Sequence, residues 1–163
     1  MKQIKTILAL AMLSTLILAA CSTSSASQND VVVSTVDPNF AKLNLNTVSG
    51  DELLASIPNF PNRMVREFQE YRPYVSIQQF RKEIGKYVGD AQVAEYEKYV
   101  YVPIAINDSD SETLQQIPGL DSSEADSLIA GRPYASNDEF LAKLGGLVTA
   151  DELNIASIYL ESK

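Results

Sequence analysis

Arg72-Pro73-Tyr74-Val75-Ser76-Ile77-Gln78-Gln79-Phe80-Arg81-Lys82-Glu83-Ile84-Gly85 returns as Arg132-Pro133-Tyr134-Ala135-Ser136-Asn137-Asp138-Glu139-Phe140-Leu141-Ala142-Lys143-Leu144-Gly145, about 60 residues later. The match extends outward from this stretch. Ile57-Pro58 recurs as Ile117-Pro118, and Tyr99 recurs as Tyr159. Upstream, Leu43, Leu45 and Asn46 match Ile104, Ile106 and Asn107, so the first copy carries one extra residue between Asn46 and Pro58. Each copy reads as four short helices. Starts are marked by a small polar residue with Glu or Gln three positions on: Ser49/Glu52, Ser76/Gln79, Ser109/Glu112, Asp121/Glu124, Ser136/Glu139 and Thr149/Glu152. In each pair the side-chain oxygen can satisfy an orphan amide of the first turn. Stops recur too, at Tyr71-Arg72-Pro73 and Gly131-Arg132-Pro133, because proline cannot continue a helix. Apolar residues fall on single helical faces: Leu53, Leu54 and Ile57; Met64, Val65 and Phe68; Val93, Tyr96 and Val100. The second copy has Leu114 with Ile117, then Ala125, Leu128 and Ile129, then Leu153, Ala156 and Leu160. No alternating pattern spans the body, so the expectation is all-α. One copy alone would be marginal in size, which favours packing of the copies on each other.

Composition narrows the chemistry. The chain has 163 residues, 13 Lys+Arg, 21 Asp+Glu, no His and one Cys. Without His there is no Ser-His-Asp or Cys-His arrangement and no His-ligated metal. A single Cys allows no intrachain disulfide and no Cys-rich zinc site. The 45% hydrophobic share suffices for a core. A formal charge of −8 disfavours nonspecific nucleic-acid binding. The carboxylate pairs Asp51/Glu52 and Asp151/Glu152 sit in first helical turns with no implied pocket, so no catalytic residue is assigned and the chain is not read as an enzyme.

The first residues form an address. Lys2 and Lys5 precede the uncharged run Ile7 to Ala20, which is too short for a comfortable membrane span. It ends in Leu18-Ala19-Ala20-Cys21, which looks like a bacterial lipobox. On this reading residues 1–20 are a lipoprotein signal peptide and the Cys21 thiol accepts the lipid, the only contact with membrane. The alternative is an ordinary secretory signal with a coincidental Cys. Ser22 to Asn29 is a small polar tether, residues 21–41 being anchor and tether. Val31-Val32-Val33 is either a short strand or an anchor onto the body. The expected location is the cell envelope: the outer membrane in a diderm organism, otherwise the outer face of the cytoplasmic membrane.

The body falls into modules 42–102 and 103–163, and they differ in charge. The first has eight basic and eight acidic residues; the second has three basic and eleven acidic. Leu45-Asn46-Thr47, Glu52-Leu53 and Ile57-Pro58, with Ile106-Asn107, Glu112, Ile117-Pro118-Gly119-Leu120 and Pro133-Tyr134 to Phe140, resemble the tandem helix-hairpin-helix domain of the ComEA competence family. The photosystem II extrinsic PsbU family is similar, and there the fold is structural. The resemblance covers Leu43 to Tyr101 and Ile104 to Leu160, and implies a pair of helix-hairpin-helix units in each module.

In DNA-binding members of that family the hairpin is Gly-hydrophobic-Gly, which lets backbone amides approach a phosphate. Here the corresponding places are Asn59-Phe60-Pro61, Lys86-Tyr87-Val88, Gly119-Leu120-Asp121 and Gly146-Leu147-Val148, none with the full pattern. The candidate contacts are Asn59, Phe60, Gly119, Leu120 and Gly146 at these turns, with Arg63, Arg66, Arg81, Lys82 and Lys86 as the cations of module one. The other reading of the five cations is a solvated face paired with Glu67, Glu70 and Glu83. The leading expectation is therefore a non-enzymatic scaffold for an envelope protein partner. The alternative is ComEA-like capture of double-stranded DNA through module one.

Asp108, Asp110 and Glu112 alternate in a loop, but their spacing departs from an EF-hand; they are expected to be caps on an acidic loop, so no metal is assigned. Six of the eight tyrosines (Tyr71, Tyr74, Tyr87, Tyr96, Tyr99 and Tyr101) lie in module one, either as an interaction patch or as core filling. Arg72 and Arg132 are expected to cap helix C-terminal carbonyls. No cofactor is implied.

Overall fold

The computed structural model describes residues 41–161. The signal segment, Cys21, the tether with Val31-Val32-Val33, and Lys163 lie outside the described residues. Copy one runs β1 (Leu43–Asn44), α1 (Gly50–Ser56), α2 (Asn62–Glu70), α3 (Ile77–Ile84), α4 (Asp90–Tyr96) and β2 (Val100–Tyr101). Copy two runs α5 (Ser111–Leu114), α6 (Ser122–Ala130), α7 (Asn137–Leu144), α8 (Ala150–Ala156) and a 3-10 turn, Ser157–Tyr159. The body is mostly helical, four helices per copy. No helix among the described residues is long and apolar enough to cross a membrane.

The mostly helical body agrees with the all-α expectation, and short strand pairings add to it. β1 pairs with β2 in parallel, Leu43 opposite Val100 and Asn44 opposite Tyr101. Ile104 forms a single parallel bridge with Leu160. In both copies the first segment is thus zipped to the last. A two-residue strand is too short to show alternation in sequence.

Helix starts follow the capping logic. Ser49, Asp121 and Thr149 form complete capping boxes with Glu52, Glu124 and Glu152. Ser76 and Ser136 accept from the amides of Gln79 and Glu139. The Ser109/Glu112 pair is shifted by one residue. Asp110 caps α5, its Oδ1 accepting from Thr113 N at 2.7 Å, while buried Ser109 accepts from Ala105 N at 3.0 Å. A carboxylate on the first turn also gains from the helix dipole, which a hydroxyl does not.

The repeated residues hold each copy shut. Asn46 donates to Tyr74 O at 2.9 Å and accepts from Tyr74 N at 2.7 Å. Asn107 makes the same two bonds with Tyr134, at 2.9 and 2.8 Å. Arg72 donates to Val48 O at 2.6 Å. Arg132 donates to Ile106 O and Ser109 O at 2.9 and 2.6 Å. These carbonyls lie in the loops leading into α1 and α5, not at helix C-termini, which corrects the expected cap. Both arginines precede cis prolines, Pro73 and Pro133.

Two apolar clusters divide near Val102, with Tyr101 belonging to the second. In copy one, edge-to-face rings fill the centre: Phe68 lies 4.9 Å from Phe60, 5.3 Å from Phe80 and 5.4 Å from Tyr96. Copy two keeps Phe140 but has Leu120, Leu128 and Ala156 where copy one has Phe60, Phe68 and Tyr96. Leu54 departs from its expected face and is exposed.

The copies form one compact unit. Ile77 N, at the start of α3, donates to the Thr113 hydroxyl of α5 at 3.0 Å, and both residues are buried. Gln116 accepts from Val102 N at 2.9 Å and donates to Val102 O at 3.1 Å. The linker between copies is therefore held by a side chain that mimics a strand partner. A buried peptide group needs such a partner.

Candidate functional site

The four candidate hairpin turns differ in what they offer. At the α1–α2 turn Asn59 takes the left-handed conformation, φ 55°. Gly119 takes the same conformation at the α5–α6 turn, φ 80°. Asparagine tolerates this region better than other side chains, so copy one keeps the turn without a glycine. Neither turn exposes its central residue: Phe60 and Leu120 are each 7% exposed and belong to the cores. That corrects their place among the contact candidates. A hydrophobic residue beside a tight turn plugs the space between the two helices it joins.

Glu152 covers Gly119. A Cβ on that glycine would collide with the Glu152 carboxylate, which also accepts from Thr149 N at 2.8 Å. Its carboxyl is held below the usual range by that backbone bond, then by the Thr149 hydroxyl. Asp121 is spent on Glu124 N at 2.8 Å. A charged carboxylate therefore sits beside the turn glycine. Gly146 lacks a positive φ and has ordinary space around it, so its backbone makes no demand for glycine. The start of α2 contrasts with these: Pro61 gives no side-chain cap, and no acidic residue stands in the first turn.

Three of the five candidate cations of copy one are already paired. Arg66 bonds Glu67 at 2.8 Å and lies 3.9 Å from Glu70. Lys86 pairs with Glu83 and sits 5.2 Å from the centre of the Tyr71 ring. Arg81 grips Glu97 with two bonds, 2.7 and 2.8 Å, and reaches Glu112 of copy two at 3.1 Å. Hydrogen bonding to Glu97 raises the Arg81 guanidinium further above its ordinary range. Arg63 and Lys82 are exposed, and neither makes an ion pair among the described residues.

The seam between copies holds a polar cleft of about 310 Å³, lined by Lys42, Arg81, Glu97, Glu112, Gln115 and Gln116. Burial lowers the Lys42 ammonium, and the nearby Glu97 charge partly offsets this. The sequence reading missed this cleft. Lys42 precedes the first recognisable helix, and Gln115 and Gln116 carry no motif. Only the pairing of Glu112 with a distant arginine reveals it.

The tyrosines resolve toward core. Tyr74, Tyr96, Tyr99 and Tyr101 are buried. Tyr87 is exposed, and its hydroxyl lies 2.8 Å from that of half-buried Tyr71. Burial raises the Tyr74 phenol well above its ordinary value. Among the described residues no three acidic or thiol side chains come close enough to hold a metal ion.

The chain matches no family model, no curated protein and no solved structure.

Proposed function

We propose that this chain is a non-enzymatic lipoprotein of the cell envelope, anchored at Cys21, and that its two double helix-hairpin-helix modules scaffold a protein partner. One observation carries the reading: most of the groups that would grip a phosphate are occupied from within. Arg66, Arg81 and Lys86 are bound to carboxylates of the same chain, and the Gly119 turn lies against Glu152. Phosphate contacts need cations and amides left free for the nucleic acid. The short-turned helix pairs α1–α2 and α5–α6, with Ile-Pro ahead of each turn, support the hairpin assignment. The reading needs no cofactor.

A second reading, capture of double-stranded DNA by module one, has its own support. Asn59 reproduces the left-handed turn, α2 begins without a carboxylate, and Arg63 is unpaired among the described residues. Two measurements separate the readings. Crosslinking in the native envelope with the lipidated chain as bait should return a defined complex; bait alone under several crosslinkers would overturn the scaffold reading. Fluorescence anisotropy with labelled duplex should show no binding that weakens with salt. Salt-sensitive binding abolished by Arg63→Glu with Lys86→Glu would put DNA first.

A further inference from the structure

We infer that the groove between the copies, on the side opened by the loop before α5, is the docking site for a basic, partly apolar peptide segment of the partner. The inference rests on the scaffold reading and gives its partner a chemistry. The groove is open and about 590 Å³ in volume, lined by Val75, Ser76, Ala105, Asp108, Asp110 and Glu161. A smaller recess beside it shares Ala105, Asp108 and Glu161 and extends the surface toward Asn137.

Three observations select the occupant. First, Val75 is 68% exposed, the most exposed large apolar side chain among the described residues. It follows the clamped Tyr74 and precedes the Ser76 cap, so the backbone on both sides is fixed. An apolar contact at the groove wall is thus already in position. Second, among the described residues the groove lining contains three carboxylates and no Lys or Arg. Arg132, which reaches this loop from beyond the end of α6, is committed to the carbonyls of Ile106 and Ser109. The Asn137 side chain donates to Glu161 O at 3.1 Å, but the carboxylates of Asp108 and Glu161 have no partner among the described residues, while Asp110 uses one oxygen to cap α5. Third, the carboxylates are spread out: no three acids among the described residues converge on one point. Spaced charges suit successive cations along a chain and do not suit a single metal ion. They also repel phosphates, which excludes nucleic acid from this face. Complementary charge of this kind speeds encounter and sets register.

The test uses the full chain and a short labelled peptide alternating arginine and valine, with a glutamate–valine peptide as control. The basic peptide should bind and the acidic one should not. Asp108→Lys with Glu161→Lys should weaken binding at least about tenfold. The charge-matched pair Asp126→Lys with Asp151→Lys, away from the groove, should weaken it less than about threefold. Val75→Ser should also weaken binding, and amide shifts on titration should centre on Val75, Ala105 and Asp108. Equal losses for both charge-reversed pairs would mean diffuse attraction to an acidic surface and would overturn the groove. Absence of binding by the unaltered chain at low salt would overturn it too. Neither result touches the envelope crosslinking experiment, which judges the scaffold reading separately.

Discussion

Thr113→Val should loosen the seam between the copies. The Thr113 side chain is fully buried, and its hydroxyl accepts the Ile77 amide at 3.0 Å. Ile77 is the first residue of α3, so no carbonyl of its own helix can take over that amide. Valine preserves the branched shape but offers no acceptor. Orphaning a buried amide costs about 1–3 kcal/mol. Replacing hydroxyl by methyl returns less than about 1 kcal/mol. The net loss should be about 1–2 kcal/mol. Thr113→Ser is the counter-variant: it keeps the acceptor and gives up one buried methyl, for about 1 kcal/mol. Urea unfolding followed by circular dichroism should show a lower midpoint for Thr113→Val with an unchanged slope. Amide exchange at Ile77 should quicken in that variant and not in Thr113→Ser. A Thr113→Val protein as stable as the parent, with Ile77 still protected, would refute the claim that this bond seals the seam.

Asn107→Ala removes both bonds to Tyr134 and should cost about 2–3 kcal/mol in the same unfolding assay; a loss below about 0.5 kcal/mol would mean that the clamp is replaced by water. Gly119→Ala should destabilise by about 1–2 kcal/mol from its backbone conformation alone, with more lost as Glu152 is displaced. In a Glu152→Ala background the cost should shrink to the backbone share, and full additivity in that double-mutant cycle would refute the contact. The carboxyls of Glu52 and Glu152 are both lowered, chiefly by the backbone amides of Ser49 and Thr149. A depressed folded value means that their contribution is complete above the ordinary value of 4.5 and is lost as pH falls through the lower folded value. Glu52→Gln with Glu152→Gln should therefore flatten the acid limb of stability below that pH, and an unchanged limb would refute the linkage.

The repeat and the helix starts were legible because capping is local: donor and acceptor lie three residues apart, and the sequence shows both. The Ser109/Glu112 assignment failed where two capping residues stood side by side and the inner one turned back to Ala105. Long-range pairings were not legible. Arg81 with Glu97 and with Glu112 joins residues far apart in the chain, and any of module one's other acids would have served equally well on paper. The burial of Phe60 and Leu120 does not follow from their position in the turns, although their apolar character points inward. Asn59 was read as the loss of a glycine, when its side chain is one of the few that accept the same conformation.

The two copies have diverged in what they leave free. Copy one builds its centre from Phe60, Phe68, Phe80 and Tyr96 and turns its charges upon one another. Copy two has a leaner core and a surplus of carboxylates, and one of these, Glu112, is the outer partner of Arg81 across the seam. Exposed pairs of this kind add little stability each. The seam is held more firmly by Thr113 and Gln116, which satisfy buried backbone groups. Arg81 and Glu112 are better placed to fix which way copy two faces, and that orientation brings Val75 of one copy beside the acidic loop of the other. A surface made from both copies exists only while the seam holds, so loosening it at Thr113 should weaken capture of a basic peptide even though Thr113 lines no part of the groove.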